Sequence, residues 1–167
     1  MRIRPAVEAD ASALHRCIVE LAEFERAAHE VTASPEDLVR ALFDGVDTPS
    51  GRPAVYAHVA EVDGEVVAVA IWFLNYSTWT GHHGIYLEDL YVMPAFRGRG
   101  IATALLAELA AIAVERGYDR FQWWVLDWNT DAIAVYGGLG AVPMDAWTVH
   151  RLTGDALHAL AARRHTS

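Results

Sequence analysis

Residues 86–106 combine an acidic strand with a glycine-rich turn. Glu88 and Asp89 lie in an apolar stretch typical of a strand, and Gly98 and Gly100 follow it after a turn broken by proline. Glycine lets the backbone approach a ligand closely, and the first N–H groups of a helix have no acceptor within that helix. Because an Ala- and Leu-rich helix is predicted after Gly100, we expect the turn to bind an anion such as a pyrophosphate. The two carboxylates then lie near the reactive end of that anion.

Two other phosphate-binding loops fit this turn less well. A Walker loop requires a lysine for the terminal phosphates, and the chain contains no lysine. The stretch from Gly98 to Thr103 resembles a dinucleotide-binding fingerprint. Asp119 lies near the sequence spacing at which the acid of that fingerprint contacts the ribose. However, Thr103 replaces the third glycine of that fingerprint, and one approximate match is weak support. The dinucleotide interpretation therefore stays an alternative.

The remaining pattern is Val92-x-Pro94-x-x-Arg97-x-x-Gly100-x-Ala102, and it resembles the Arg/Gln-x-x-Gly-x-Gly/Ala signature of the GNAT superfamily. Further segments are similar to its diamine (spermidine/spermine) acetyltransferase branch, from about residue 2 to 153. The resemblance implies an acetyl-CoA-dependent N-acetyltransferase that transfers acetyl directly to a primary amine of a polyamine or other small diamine. It also implies a homodimer. The matching segments are Ile3-Arg-Pro-Ala, Tyr86-Leu-Glu-Asp, Trp128-Asn129, Ala134-Val-Tyr136 and Gly140-Ala141.

Composition narrows the class of partner. The chain has 167 residues, the size of one domain, and a formal net charge of −9. Nucleic acids and anionic membranes require a basic surface, so we expect neither as a partner and a small cationic substrate instead. No apolar run approaches the ~18 residues that span a bilayer, and the start lacks a signal-peptide pattern. We therefore expect one cytoplasmic domain over residues 1–167 with a disordered tail at 163–167, and Cys17 as a buried small side chain.

Apolar periodicity predicts an α+β fold. A strand and two helices precede an antiparallel run, and strands then alternate with helices, which is typical of a mixed, mostly antiparallel sheet. The GNAT resemblance implies that this sheet is splayed at its centre, beside the glycine-rich turn, with helices on both faces. Strands are predicted at 3–7, 55–62, 65–74, 85–92, 121–126 and 147–152, and helices at 8–25, 34–43, 100–116 and 131–139. The helix at 100–116 is expected to bury Ile101, Leu105, Leu109 and Ile112.

Acyl transfer to an amine requires a base. An aliphatic amine with a pKa near 10.4 carries its free lone pair in only about one molecule in 10³ at pH 7. A carboxylate on a rigid strand can accept the proton directly or through water, and we predict this role for Glu88. The resemblance gives a glutamate the same role and gives Asp89 the task of holding the cationic chain. Because neighbours on a strand face opposite ways, either acid could instead be a plain exposed residue.

The leaving thiolate departs more easily once it is protonated, and we expect Tyr136 to donate this proton. The resemblance carries this assignment, because a tyrosine outside such a motif is more often a packed aromatic. The resemblance also implies that the Leu90 N–H stabilises the carbonyl oxygen. Asn129 is either a cofactor contact or the cap of the helix that carries Tyr136.

Backbone N–H groups of the glycine-rich turn are expected to bind the pyrophosphate of acetyl-CoA. The Arg99 side chain either adds positive charge there or is a solvated loop residue. One departure from the diamine acetyltransferases puts the adenosine phosphate contact in question, because Gly137-Gly138-Leu139 stands where they carry basic residues. The residues expected to bind acetyl-CoA are Leu90, Val92, Arg97, Gly98, Arg99, Gly100, Ala102 and Asn129.

Acidic and aromatic side chains are expected to select the amine. Carboxylates pair with ammonium groups, and the faces of tryptophan rings attract cations. His82-His83 has no third ligand at metal spacing, so we expect a solvent-exposed loop there and no metal site. By resemblance the substrate-binding residues are Glu25, Trp79, Glu88, Asp89 and Trp147, each of which taken alone could be a surface or packing residue.

Two alternatives to a polyamine acetyltransferase stay open. In the first, the acceptor is an amino acid with a long amino side chain, such as thialysine, which similar relatives use. In the second, the chain is an acyl-CoA-binding module that lost turnover. The presence of both Glu88 and Tyr136 argues against the second.

Overall fold

The computed structural model describes residues 1–45 and 48–164. Within them, five strands form one open, mixed sheet in chain order, which confirms the α+β class. Neighbouring strands pair antiparallel except for the last two, which pair parallel. The strands are β1 (Arg2–Pro5), β2 (Val55–Val62), β3 (Glu65–Ser77), β4 (His82–Val92) and β5 (Phe121–Trp123). The helices are α1 (Ala11–Phe24), α2 (Pro35–Val39), α3 (Ile101–Arg116), α4 (Thr130–Gly138) and α5 (Gly154–Ala161).

Two compact units divide the chain. The first, Met1–Trp124, contains the sheet and α1 to α3, and the second, Val125–Ser167, contains α4 and α5. One domain over the whole chain stays a prediction, and the predicted tail lies outside the described residues from 165 onward. Across residues 1–45 and 48–164 no helix has the length and apolar character to cross a bilayer.

Helices cover both faces of the sheet in the first unit. Residues 67–72 of β3 are all buried, although successive strand side chains point to opposite faces. Val69 and Ile71 pack on one face with Leu14 and Cys17 of α1. Helix α3 contacts β2, β3 and β4 and covers the other face. It buries Ile101, Leu105 and Leu109 as predicted, with Leu106 and Ala113, whereas Ile112 is half-buried.

Local sequence signals account for two of the junctions. Asp63 and Gly64 join β2 and β3 with φ angles of 51° and 86°, the positive values that a tight hairpin requires. Ser34 caps α2, because its hydroxyl accepts the Asp37 N–H at 3.2 Å and the Asp37 carboxylate accepts the Ser34 N–H at 2.9 Å. Helix α2 gives way to a π-helical turn at Arg40–Asp44, which ends one residue beyond the predicted helix of 34–43.

Several predicted elements differ from the structure. The loop expected at 75–83 is a short turn, because β3 continues to Ser77 and β4 begins at His82. Strand β5 ends at Trp123 instead of 126, and residues 147–152 form no strand. Within the described part of the second unit there is no other strand with which 147–152 could form hydrogen bonds. Helix α5 was not predicted.

Gly84 brings the start of β5 close against β4. The Arg120 carbonyl accepts the Ile85 N–H at 3.0 Å, and Arg120 Nε donates to Asn75 Oδ1 at 3.1 Å. A Cβ on Gly84 would lie 2.6 Å from Asn75 Oδ1 and 2.9 Å from the Arg120 carbonyl oxygen. Only glycine leaves room for this close approach, and the ladder of β4 with β5 ends at Leu87, directly before the acids of β4.

We predict that Gly84→Ala lowers the free energy of unfolding by about 1 to 3 kcal/mol, because the added methyl overlaps atoms that hold β4 and β5 together. Chemical denaturation followed by fluorescence measures this change. Gly137→Ala is the matched control, since a Cβ there meets nothing within 4 Å. In a helix that substitution stabilises by up to about 1 kcal/mol. A Gly84→Ala protein as stable as the wild type would show that a side chain fits where β5 approaches β4.

Candidate active site

Strand β4 contains one extra residue at Glu88. Its pairing with β3 joins Asp89 to Ile71 and Leu87 to Trp72, so Glu88 has no opposite residue in the ladder. An insertion of this kind is a β-bulge, which bends the strand and redirects side chains. Glu88 is exposed as a result, while Leu87 beside it is buried.

The bulge places an acid and an aromatic ring on the same face. Asp89 lies opposite Ile71, and Tyr86 lies opposite Phe73, two positions along β3. Because Ile71 and Phe73 share a face, Asp89 and Tyr86 share it too, although they are three positions apart along β4. This is the face covered by α1. The Tyr86 ring stacks on Phe73 at 4.8 Å and meets the Trp124 ring edge-on at 5.7 Å.

Beyond Leu87, β4 is paired on one side only. Its parallel ladder with β5 joins Ile85, Tyr86 and Leu87 to residues 121–123 and ends there. The strand continues to Val92 with its β3 pairing intact. Leu90 and Val92 therefore lie on a stretch with no β5 partner among the described residues, and the sheet opens there.

Three carboxylates act on one another at this opening. Burial raises the pKa of Asp89 to about 6, and the negative charges of Glu88 and Glu25 contribute to the increase. Glu25 directly follows the last residue of α1, and burial raises the pKa of its carboxyl as well. The structure therefore brings together three of the predicted substrate-binding acids and makes their surroundings favourable for a cation.

The glycine-rich turn has the geometry of an anion site. Gly98 and Gly100 have φ angles of 71° and 75°, and a Cβ on either would meet nothing within 4 Å. Helix α3 starts at Ile101, and the Ala104 N–H makes the first helical bond, to the Gly100 carbonyl at 2.9 Å. The N–H groups that precede Ala104, including that of Ala102, have no acceptor within the helix. The turn therefore offers an open backbone surface that fits a pyrophosphate.

The two arginines of the turn are engaged in it. The Arg97 N–H donates to the Pro94 carbonyl at 3.3 Å, and its Nε donates to the Val92 carbonyl at 2.9 Å. Arg99 donates to the Ala95 carbonyl at 3.1 Å, and its guanidinium lies 5.2 Å from the centroid of the adjacent Phe96 ring. The Arg97 N–H is therefore bonded to the Pro94 carbonyl, whereas we predicted from the sequence that it would face a pyrophosphate.

Trp79 is not brought to the acids. It lies in the turn between β3 and β4 with 88% of its surface exposed. Six strand positions separate His82, where β4 begins, from Glu88, which is about 20 Å along a strand. His82 and His83 each lie beside a backbone carbonyl, at 2.8 and 3.2 Å. In the described part of the chain no three His, Cys, Asp or Glu side chains are arranged to hold a metal ion.

The other three predicted site residues lie in the second unit. Asn129 caps α4, since its Oδ1 accepts the Ala132 N–H at 3.3 Å. Tyr136 is half-buried in the last part of that helix. Trp147 follows a turn and is 67% exposed. The roles of Tyr136 and Trp147 stay predictions.

Sequence reasoning missed the aromatic residues beside the acids, Phe73, Tyr86 and Trp124. All three lie in predicted strands, at 65–74, 85–92 and 121–126, where an aromatic residue is common and gives no reason to single it out. It also missed the contact of Arg97 with α1, because nothing local connects positions so far apart in the chain.

The sequence of this chain is similar to those of known proteins along most of its length. Residues 18–141 match the sequence model of the acetyltransferase (GNAT) family. Thialysine N-epsilon-acetyltransferase of Mus musculus is 39% identical over 170 residues, covering 97% of this chain and 98% of that protein. Spermidine/spermine N(1)-acetyltransferase-like protein 1 of Homo sapiens is 30% identical over 166 residues, covering 93% of this chain and 23% of that protein.

The fold is shared more widely. An integron cassette protein from the mobile metagenome of V. cholerae superposes with a TM-score of 0.78 at 24% identity, covering 96% of both chains. The family match spans about three quarters of the chain, and the likeness to diamine acetyltransferases predicted from the motifs is confirmed. The chain belongs to the acetyltransferase (GNAT) family and is an N-acetyltransferase.

Proposed function

We propose that this enzyme transfers the acetyl group of acetyl-CoA to a primary amine of a small diamine or polyamine. The observation that carries the proposal is the bulge at Glu88. It aligns Asp89 with the aromatic rings of β3 and β4 next to the Glu25 carboxylate, where β4 leaves its partner β5. Such a surface suits a chain with more than one ammonium group.

Acetyl-CoA supplies the acetyl group as a thioester. We assign its pyrophosphate to the backbone of Gly98 to Gly100 and to the first N–H groups of α3, including that of Ala102. The open space at both glycines supports this assignment. Leu90 and Val92, on the unpaired part of β4, are proposed to hold the pantetheine end.

Two side chains, Glu88 and Tyr136, transfer protons in the proposed chemistry. The Glu88 carboxylate accepts a proton from the ammonium group, directly or through water, and its exposure at the bulge leaves it accessible. The Leu90 N–H is assigned to the negative charge that develops on the carbonyl oxygen. The free amine then attacks the thioester carbonyl, and the bond between that carbon and the sulfur breaks. The Tyr136 hydroxyl is assigned to protonate the thiolate that leaves, and the second proton of the acetylated nitrogen restores this hydroxyl through solvent.

The acceptor is proposed to lie between α1 and β4. Asp89 and Glu25 neutralise its second ammonium group, and Tyr86 and Trp124 offer ring faces to its methylene chain. Trp147 keeps the substrate-binding role implied by the family resemblance. Because of its distance along β4, Trp79 is left out of this site. A homodimer in the cytoplasm completes the proposal.

A second acceptor class is favoured by one comparison. The mouse relative, similar along nearly its whole length, is named for thialysine, an amino acid with an amino side chain. An amino acid would bring a carboxylate toward Glu25, Glu88 and Asp89, which repel it. A diamine meets no such repulsion, so the electrostatics of the first unit favour the diamine.

Gly100→Val is expected to weaken acetyl-CoA binding at least about 100-fold, because a branched side chain would occupy the open surface at the start of α3. Isothermal titration calorimetry measures the affinity. Gly117→Val is the matched control, since Gly117 ends the same helix with a φ of 68° and equally open surroundings. It carries the same backbone strain away from the turn. Equal affinity in both variants would contradict the assignment of the pyrophosphate.

Glu88→Gln and Tyr136→Phe should each lower kcat by roughly 10² to 10⁴ with nearly unchanged acetyl-CoA affinity, because each removes one proton transfer. Steady-state release of CoA thiol gives kcat. The controls are Glu115→Gln on the exposed side of α3 and Tyr56→Phe on β2, which make the same chemical changes elsewhere. If both active-site variants keep more than about half of the wild-type rate, the assigned acid and base are wrong.

A panel of acceptors tests the substrate class. A diamine should exceed a monoamine of equal length in kcat/KM, because its distal charge is held by Glu25 and Asp89. Added salt should reduce the difference. Glu25→Gln should reduce it too and spare the monoamine rate, whereas Glu36→Gln on α2 should change neither. A preference for thialysine over every diamine would move the assignment to the amino acid.

A further inference from the structure

Arg97 reaches from the glycine-rich turn to the end of α1. Its guanidinium carbon lies 5.3 Å from the centroid of the Phe24 ring and 5.5 Å from that of the Tyr91 ring. Phe24 is the last residue of α1, and Tyr91 belongs to the buried cluster on β4. The Arg97 guanidinium therefore lies near one ring of α1 and one ring on the face of the sheet that α1 covers.

The same side chain also closes the turn upon itself. Arg97 Nε donates to the carbonyl of Val92, the last residue of β4. Its backbone N–H donates to Pro94 within the short 3-10 turn. Two polar contacts thus engage the backbone of the turn, while the two rings hold the far end of the side chain.

The surroundings favour a cation in this position. A cavity of about 690 Å³ borders Arg97, Phe24 and Tyr91, and the carboxylates of Glu20 and Glu23 line it. A guanidinium between two aromatic rings and near acids is stabilised by the quadrupoles of the rings and by charge. Lysine has no planar group that could stack on the rings and bond to Val92 at once.

We propose that Arg97 is a positioning residue that holds the cofactor-binding turn against α1, so that acetyl-CoA affinity depends on an aromatic side chain at position 24. The inference rests on the proposed function of the turn as the pyrophosphate site. Arg97 then acts through the backbone conformation of residues 94–100 rather than through contact with a phosphate.

A direct phosphate contact by Arg97 gives the opposite result. If the guanidinium had to leave the rings to bind phosphate, loss of the Phe24 ring would release it, and CoA would bind equally well or more tightly. If Arg97 positions the turn, loss of the ring weakens CoA binding. The direction of the change therefore separates the two roles.

The experiment measures CoA affinity by calorimetry, without amine present, for the wild type and for Phe24→Leu, Phe24→Tyr, Arg97→Met and the double variant Phe24→Leu with Arg97→Met. We expect Phe24→Leu and Arg97→Met each to weaken binding about 3- to 10-fold. Phe24→Tyr keeps the ring and should restore wild-type affinity. The double variant should be no weaker than Arg97→Met alone, because both substitutions break one contact.

Two further readouts exclude a loss of folding. Phe24 is 39% exposed, and so is Tyr56, which stacks on Trp72 at 4.6 Å on β2 and β3. Tyr56→Leu is therefore the matched control and should leave CoA affinity unchanged. Phe24→Leu should raise the KM for acetyl-CoA with kcat retained at saturation, a separation that general destabilisation does not produce.

Each outcome has a distinct meaning. If the wild type binds CoA and Phe24→Leu binds as tightly or more tightly, the positioning role is wrong and the proposed function stands. Additive losses in the double variant would also overturn it. If the wild type binds no CoA, the positioning role and the proposed function are both wrong.

Discussion

The extra residue at position 88 is the constraint on which the arrangement of the site depends. Leu87 and Tyr91 are both buried and lie four positions apart, so an unbroken strand would place them on one face. The ladder instead sets Leu87 opposite Trp72 and Tyr91 opposite Val69, on different faces. The bulge therefore lets two residues four positions apart enter the core from opposite faces, and it leaves Glu88 outside the ladder. A register without it would turn Asp89 away from α1.

The electrostatics of the site follow from this geometry. Asp89 is held near two other carboxylates in surroundings that disfavour its charged form. Such an arrangement is unfavourable in the empty protein and becomes favourable when an ammonium group enters. Functional sites often contain groups whose pKa values are displaced in this way. The net charge of −9 adds a weaker, long-range attraction for cations.

Local sequence signals predicted the elements whose cause is local. Asp63-Gly64 specified the hairpin, Ser34 specified the start of α2, and Gly100 specified the start of α3, because each acts through its own backbone or side chain. The bulge at Glu88 is a feature of how β4 pairs with β3, which the alternation of apolar residues within one strand does not reveal. The extension of β3 to Ser77 is likewise a matter of pairing with β4.

The candidate site was predictable to a similar degree. The motif carried the turn, and the acids of β4 adjoined it in sequence. Tyr86 and Tyr91 are close in sequence to Asp89 and Arg97, but Phe24, Phe73 and Trp124 come from distant segments, so that only the fold reveals their place in the site. The strand predicted at 147–152 shows the converse, since β propensity does not suffice where the described residues of the same unit, 125–164, contain no partner strand.

The burial of Asp89 has a consequence for the resting enzyme. Its pKa is raised above the ordinary value of 3.8 to about 6, so the folded protein retains a proton there that the unfolded chain releases. The contribution of this residue to stability is fully present below about pH 4 and is lost as the pH rises through 6. Over this pH range the free energy of unfolding falls by about 3 kcal/mol at most because of this residue. At neutral pH the Asp89 carboxylate is therefore ionised in surroundings that disfavour its charge, which is an electrostatic cost to the free enzyme. A bound amine would relieve it, so the melting temperature should rise most with the acceptor whose charges match the acids.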